Sequence, residues 1–137
     1  MSTKTVSDRE DPVIETRDQL IAAIAKGEKP KDRWRIGTEH EKFVYNRTDH
    51  HAPSYDEPGG IRDLLMAMTE FGWEPVYENG KVIAMTGTDG AVSLEPAGQL
   101  ELSGAPLENL HQTCAETGRH LKQVKAIGDK TNTSFLG

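Results

Sequence analysis

The sequence predicts an α+β fold, in which an antiparallel sheet is flanked by helices. Three segments show apolar residues at helical spacing, and they lie near the start, the middle and the end of the chain. Between the second and third, several strand-like runs follow one another directly. The pair Asn79-Gly80 separates two of these runs and is typical of a tight hairpin. Strands joined in this way pair antiparallel.

Length and composition narrow the classes of protein that this chain can represent. Its 137 residues suit one domain with a modest core, and the formal net charge of −6 argues against nucleic-acid binding. No apolar run approaches the ~20 residues of a membrane span. The polar, acidic start does not resemble a signal or transit peptide, so we expect a cytoplasmic protein. Cys114 is the single cysteine, which rules out an internal disulfide.

The first part of the chain predicts a leader, a helix and a strand. Residues 1–12 are charged and aperiodic, and we expect them to be disordered. A short helix follows, with Thr16 and Gln19 as a capping box and Gly27 at its end. Residues 34–46 then alternate with a period of two, which places Glu39 and Glu41 on one side of a strand.

The remaining elements follow in the order helix, strands, helix and strand. Residues 60–71 predict the second helix, and residues 73–85 predict the hairpin. Two strand pieces lie on either side of a break at Pro96 and Gly98. Pro106 suits the first turn of a helix over 107–127, in which Cys114 is expected to be a buried core residue and Gly128 ends the helix. The segment "TSFLG", residues 133–137, predicts one more strand.

Carboxylates in strand-like runs are the least ordinary feature of the sequence. The stretch "RIGTEHEKF", residues 35–43, carries Glu39 and Glu41 two positions apart. The stretch "SLEPAGQLELSGAP", residues 93–106, carries further polar residues among leucines; alternation puts three on one face, and a fourth joins them if the break preserves the phase. These residues are Gln99, Glu101 and Ser103, with Glu95 as the fourth.

Clustered carboxylates need basic partners or cations, because buried like charges repel. Oxygen ligands suit Mg²⁺, Mn²⁺ or Ca²⁺, and the chain lacks the cysteine pairs and histidine spacing of a zinc site. Such a group of carboxylates could form the floor of a metal–nucleotide site, although no phosphate-binding glycine loop is present. A solvated acidic face is the alternative that the pattern leaves open.

The two motifs together resemble a known family. "WRIGTEHEKF" and "SLEPAGQLELSGAPLENLHQTCAE" are similar to the glutamate–cysteine ligases of the plant and proteobacterial type, and the resemblance runs from about residue 12 to the end. The resemblance implies the amino-terminal part of a glutamine-synthetase-like catalytic domain over residues 13–137. It also implies ATP-dependent joining of the L-glutamate γ-carboxylate to the L-cysteine amine through a γ-glutamyl phosphate, the first step of glutathione synthesis.

The resemblance also implies roles for individual residues. Glu39 and Glu41 match the acidic pair that holds Mg²⁺, or Mn²⁺ in its place, against ATP. Glu101 matches the acid of the second motif. Glu95 and Gln99 belong to the same motif as further metal ligands, and Ser103 lies in a turn on the glutamate side.

Family members are considerably longer than this chain, and we expect the arginines that bind substrate carboxylate and ATP phosphates to lie further on. The sequence therefore predicts an amino-terminal fragment that is inactive alone and prone to self-association through an open sheet edge. A glutamate ligase acting on another amine and a stand-alone cation-binding module remain alternatives. The sequence leaves the oligomeric state open.

Overall fold

A six-stranded sheet, antiparallel throughout, is the centre of the fold. It is seen in a computed structural model that describes residues 13–88 and 90–137, so the predicted leader over residues 1–12 lies outside the described residues. The strands are β1 (Glu39–Asn46), β2 (Glu74–Glu78), β3 (Lys81–Gly87), β4 (Gly90–Glu95), β5 (Gln99–Ser103) and β6 (Thr133–Leu136). Their spatial order is β2-β3-β4-β5-β1-β6. The predicted α+β class with an antiparallel sheet is confirmed.

The helices are α1 (Arg17–Ala25), α2 (Ile61–Ala67) and α3 (Leu110–Thr131), with short 3₁₀ turns at Lys31–Arg33, Met68–Phe71 and Pro96–Gly98. The chain divides into two compact units, Met1–Trp34 and Arg35–Gly137. Among the described residues, none of the helices combines the length and the apolar character that crossing a bilayer requires.

The first unit contains α1, which begins as predicted. The Thr16 side chain accepts from the Gln19 backbone N–H, and the Gln19 side chain accepts in return from the Thr16 N–H. No residue of the helix is buried, and the side chain of Ile24 is 80% exposed. The capping box stabilises the start of the helix by satisfying backbone N–H groups of its first turn.

Helices α2 and α3 cover one face of the sheet in the second unit. Side chains from both helices pack against the leucines and valines of β1, β4 and β5. The fully buried members include Leu64, Leu65, Met68, Met85 and Val92. Along β1, β4 and β5, residues that face the helices alternate with residues that face away, which is what one buried face of an antiparallel sheet requires.

Helix α3 begins later than the sequence predicts. Leu107 exchanges two backbone hydrogen bonds with Ile36, of 2.7 and 2.8 Å, which keep the chain extended at this point. The helix starts only after Asn109, whose side chain accepts from the N–H groups of His111 and Gln112. It continues through Gly128 to Thr131, and Gly128 is a position where a Cβ would lie only 2.5 Å from the Thr133 carbonyl oxygen.

The buried side of α3 also differs from the prediction. The sequence predicted that Cys114 is buried, yet Cys114 is exposed, and Leu110 on the same side of the helix is 72% exposed. The prediction that Cys114 is a core residue is wrong. The residues that α3 buries are Glu116, His120, Val124, Ile127 and Gly128. Two of these are polar, so a pattern of apolar residues alone pointed to the wrong side.

The turn between β4 and β5 fixes the pairing of these two strands. Ala97 has φ of 63° and Gly98 has φ of 73°, so two successive residues adopt the left-handed conformation. Glu95 and Gln99 are paired immediately outside this turn. The break that the sequence showed at Pro96 is thus a tight connection that preserves the strand phase.

Replacing Ala97 with glycine should stabilise the protein, because alanine in the left-handed conformation is strained. We expect Ala97→Gly to raise the free energy of unfolding in urea by about 0.5 kcal/mol. The matched change Ala115→Gly, at an exposed position inside α3, should lower it by about 1 kcal/mol. A destabilised Ala97→Gly variant would contradict the strain at this turn.

Candidate functional site

The six polar residues singled out in the sequence share one face of the sheet. Residues directly opposite each other in neighbouring antiparallel strands point to the same side. β1 and β5 pair Glu39 with Ser103 and Glu41 with Glu101, and β4 and β5 pair Glu95 with Gln99. This acidic face, made of these six residues, is the side of the sheet opposite the helices. It spans the three adjacent strands β4, β5 and β1.

Glu41 and Glu101 form the most unusual pair on the acidic face. Directly opposed residues have Cβ atoms about 5 Å apart, and like charges in this arrangement destabilise a sheet. Glu101 is 3% exposed and accepts a hydrogen bond of 2.7 Å from the Ser103 hydroxyl, whereas Glu41 is exposed. A buried carboxylate next to a second carboxylate is tolerated where a cation can neutralise both.

The acidic face is too long for a single cation to contact all of it. Gln99 and Ser103 are four residues apart on β5, a distance of about 13 Å. Glu39, Glu41 and Glu101 therefore lie towards one end, and Glu95 and Gln99 lie towards the other. Within residues 13–88 and 90–137, no three histidine, cysteine or acidic side chains come together in a way that could hold a metal ion.

The donor chemistry of the acidic face nevertheless suits Mg²⁺. This ion usually takes one or two protein carboxylates and completes its coordination with water and phosphate oxygens. The Glu41–Glu101 pair offers two carboxylates on neighbouring strands, both supported by a hydrogen-bonded sheet. A pair of this kind fits an ion shared with a nucleotide better than an ion enclosed by protein ligands alone.

Two residues of β1 that alternate with the acidic face, His40 and Lys42, are polar as well. Lys42 is 1% exposed, and its ammonium group donates a 2.8 Å hydrogen bond to the His40 carbonyl. Burial lowers the pKa of Lys42 to about 8, and the negative charge of Glu101 opposes this shift. Lys42 is thus a buried cation one position from the acidic pair.

His120 belongs to α3, and its ring centroid lies 6.4 Å from that of His40 on β1. It is 2% exposed. Burial lowers the pKa of His120 to about 3, and the positive charge of Lys42 acts in the same direction. Burial likewise lowers the pKa of His40. Both imidazoles are therefore neutral at neutral pH.

Glu116 and His120 are buried residues that the sequence pattern did not predict. Their spacing to Val124, four residues at each step, was a usable signal, because it continues the apolar side of α3 towards its start. The signal for Lys42 was its alternation with Val44, which places it on the core side of β1. In each case the helix or strand periodicity assigns the position to the core, although the side chain there is polar.

The low pKa of His120 makes stability depend on pH. The folded chain keeps His120 neutral, whereas the unfolded chain takes up a proton below about pH 6.5, so protonation favours unfolding. We expect the free energy of unfolding in urea to fall by up to about 1.4 kcal/mol per pH unit from this residue as pH drops below 6.5. His120→Gln should remove that part of the slope.

His111→Gln is the matched control, because His111 is an exposed histidine on the same helix. It should leave the slope close to that of the unchanged protein. An equal slope for His120→Gln and the unchanged protein would contradict a buried neutral imidazole at residue 120.

Comparison with known proteins places the chain in a family. The profile of Glutamate-cysteine ligase family 2 matches residues 35–137, which begin where the second compact unit begins. This match covers both motifs and the whole sheet. The chain belongs to Glutamate-cysteine ligase family 2.

Curated relatives share about half of the aligned residues. Glutamate–cysteine ligase A, chloroplastic, of Oryza sativa subsp. japonica is 49% identical over 123 residues, which are 89% of this chain and 24% of the relative. Glutamate–cysteine ligase, chloroplastic, of Arabidopsis thaliana is 50% identical over 123 residues, 89% of this chain and 23% of the relative. The chain thus spans about a quarter of the length of the curated relatives that it matches.

The expectation of a cytoplasmic protein is contradicted by this comparison, since these relatives are named as chloroplastic. That expectation rested on the composition of the first residues alone.

Proposed function

We propose that this chain is part of an ATP-dependent ligase that joins the γ-carboxylate of L-glutamate to the amine of L-cysteine, the first step of glutathione synthesis. The observation that carries the proposal is the Glu41–Glu101 pair on the acidic face, inside the segment that matches the family. The names of the relatives support the two substrates.

The reaction proceeds in two steps. The γ-carboxylate of glutamate first attacks the terminal phosphorus of ATP and gives γ-glutamyl phosphate and ADP. The cysteine amine then attacks the acyl carbon, so a C–N bond forms, the C–O bond to phosphate breaks, and the amine loses a proton. A carboxylate is a poor electrophile, and the phosphate supplies the leaving group.

The acidic face contributes charge and position to this chemistry. Phosphoryl transfer between two anions requires cations, and Mg²⁺ supplies that charge when it is bound. Glu41 and Glu101 would hold one ion, with Glu39 next to them on the same face, and Glu95 with Gln99 would serve the other end of the face. Ser103 orients Glu101 through its 2.7 Å hydrogen bond and lies on the glutamate side in this proposal. The hydrogen-bonded strands keep these groups in place.

Residues 13–137 form, in the same proposal, the amino-terminal part of a glutamine-synthetase-like catalytic domain. A sheet with helices on one side and carboxylates on the other supports this assignment. The chain spans about a quarter of its relatives, and the groups that bind phosphate and substrate carboxylate would come from the rest of such a protein. The 137-residue chain alone should therefore be inactive.

Ligation can be tested in the longer protein that carries these residues. We expect Glu41→Gln and Glu101→Gln each to lower kcat/KM for γ-glutamylcysteine formation about a hundredfold or more, because each removes a carboxylate that holds the cation. The product is measured by mass spectrometry alongside the release of ADP.

Glu74→Gln is the matched control for these variants. Glu74 is an exposed strand glutamate on β2, three strands away from β5, and its replacement makes the same change in charge. Its activity should equal that of the unchanged protein. Undiminished ligation by Glu101→Gln would overturn the metal role of the acidic face, and ADP release with an amine other than cysteine would overturn the choice of substrate.

A further inference from the structure

A second polar site lies on the opposite side of the sheet from the acidic face. A cavity of about 170 Å³ lies between α3 and the adjacent ends of β3 and β4, and we name it the helix-side cavity. A hollow of about 500 Å³ adjoins it and shares Glu116 and Arg119 as lining residues. The side chains that line the helix-side cavity include Trp73, Leu102, Glu116, Arg119, His120 and Gln123.

Glu116 gives the helix-side cavity a buried negative charge. It is 7% exposed, and its Oε1 accepts a 2.7 Å hydrogen bond from the Ala105 N–H. Its Oε2 is buried and has no hydrogen-bond partner among the described residues. Gly104 makes room for this carboxylate, since a Cβ at that position would lie 2.3 Å from Oε2. A carboxylate oxygen held in this way requires a donor.

His120 and Gln123 add hydrogen-bonding groups beside Glu116. Both ring nitrogens of His120 are buried and lack partners within the described part of the chain. A neutral imidazole offers one donor and one acceptor. Gln123 Oε1 accepts a 3.1 Å hydrogen bond from the Trp73 indole, so the amide nitrogen of Gln123 remains as a donor. These groups suit a ligand that both donates and accepts.

Arg119 places a positive charge at the opening of the helix-side cavity. It is exposed, it lines both hollows, and it is three residues from Glu116 on the same helix. Residues at this spacing are neighbours, with Cβ atoms about 5–6 Å apart. The buried end of the cavity is therefore anionic and its outer end is cationic, while Trp73 and Leu102 provide an apolar wall.

We propose that the helix-side cavity binds a small zwitterionic amino acid, with its ammonium group on Glu116 and its carboxylate on Arg119. The separation of charge matches the two ends of such a molecule, and neither an inorganic anion nor a simple cation satisfies both. The helix-side cavity, of about 170 Å³, is smaller than the roughly 300 Å³ of a typical drug-sized pocket, so the part of the ligand that it encloses must be small. This site is separate from the acidic face and does not depend on ligation.

The proposal can be tested by titrating the 137-residue chain with glycine, L-alanine and L-valine in the absence of ATP and Mg²⁺. The indole N–H signal of Trp73 reports on the cavity by nuclear magnetic resonance, and that of Trp34, the other tryptophan, is the reference. We expect at least one amino acid to shift the Trp73 signal saturably below about 50 mM. Isobutylamine and isovalerate, which each lack one charged group of valine, should bind about tenfold more weakly or not at all.

Two variants locate the binding. Glu116→Gln keeps the shape of the side chain and an acceptor for Ala105, and Arg119→Ala changes an exposed residue, so both should fold. Each should weaken binding about tenfold or more. Lys122→Ala, which removes another exposed cation of α3, should leave it unchanged. No saturable shift with any of the three amino acids, or equal binding by all three variants, would overturn the proposal.

Discussion

The register between β1 and β5 is the constraint on which the rest of the structure depends. It places Glu41 opposite Glu101 and Leu102 opposite His40, and so it decides which residues face the helices. A shift by one residue would move every side chain of β1 to the other face. The carboxylates would then lie against the core that α2 and α3 cover, where unpaired charge is most costly.

The pairing of β4 with β5 extends the same constraint across the sheet. The left-handed turn at Ala97 and Gly98 keeps Glu95 in phase with Gln99 and Glu101, so three strands present their polar residues to one side. This arrangement brings negative charges together, which destabilises the folded chain when no cation is bound and favours the binding of a cation. A sheet shaped only for stability would place a cross-strand partner of opposite charge beside Glu101.

Local rules predicted much of this fold, and non-local contacts account for what they missed. Alternation was enough to place Glu39, Glu41 and Glu101, and Asn79-Gly80 was enough for the hairpin, which the structure confirms. The start of α3 depended on the pairing of Leu107 with Ile36, which no local pattern shows. The buried side of α3 was missed because its core positions include polar residues, and their surroundings come from distant parts of the chain. The metal role of the acidic face stays a prediction.

The coupling between Glu41 and Glu101 tests the central claim most directly. A double-mutant cycle with Glu41→Gln and Glu101→Gln measures the interaction energy of the two carboxylates from urea unfolding of the 137-residue chain. Without Mg²⁺ the coupling should be repulsive by about 0.5 kcal/mol. With saturating Mg²⁺ it should change sign, because both carboxylates then hold one cation. A coupling that is the same with and without Mg²⁺ would contradict a shared cation site on the acidic face.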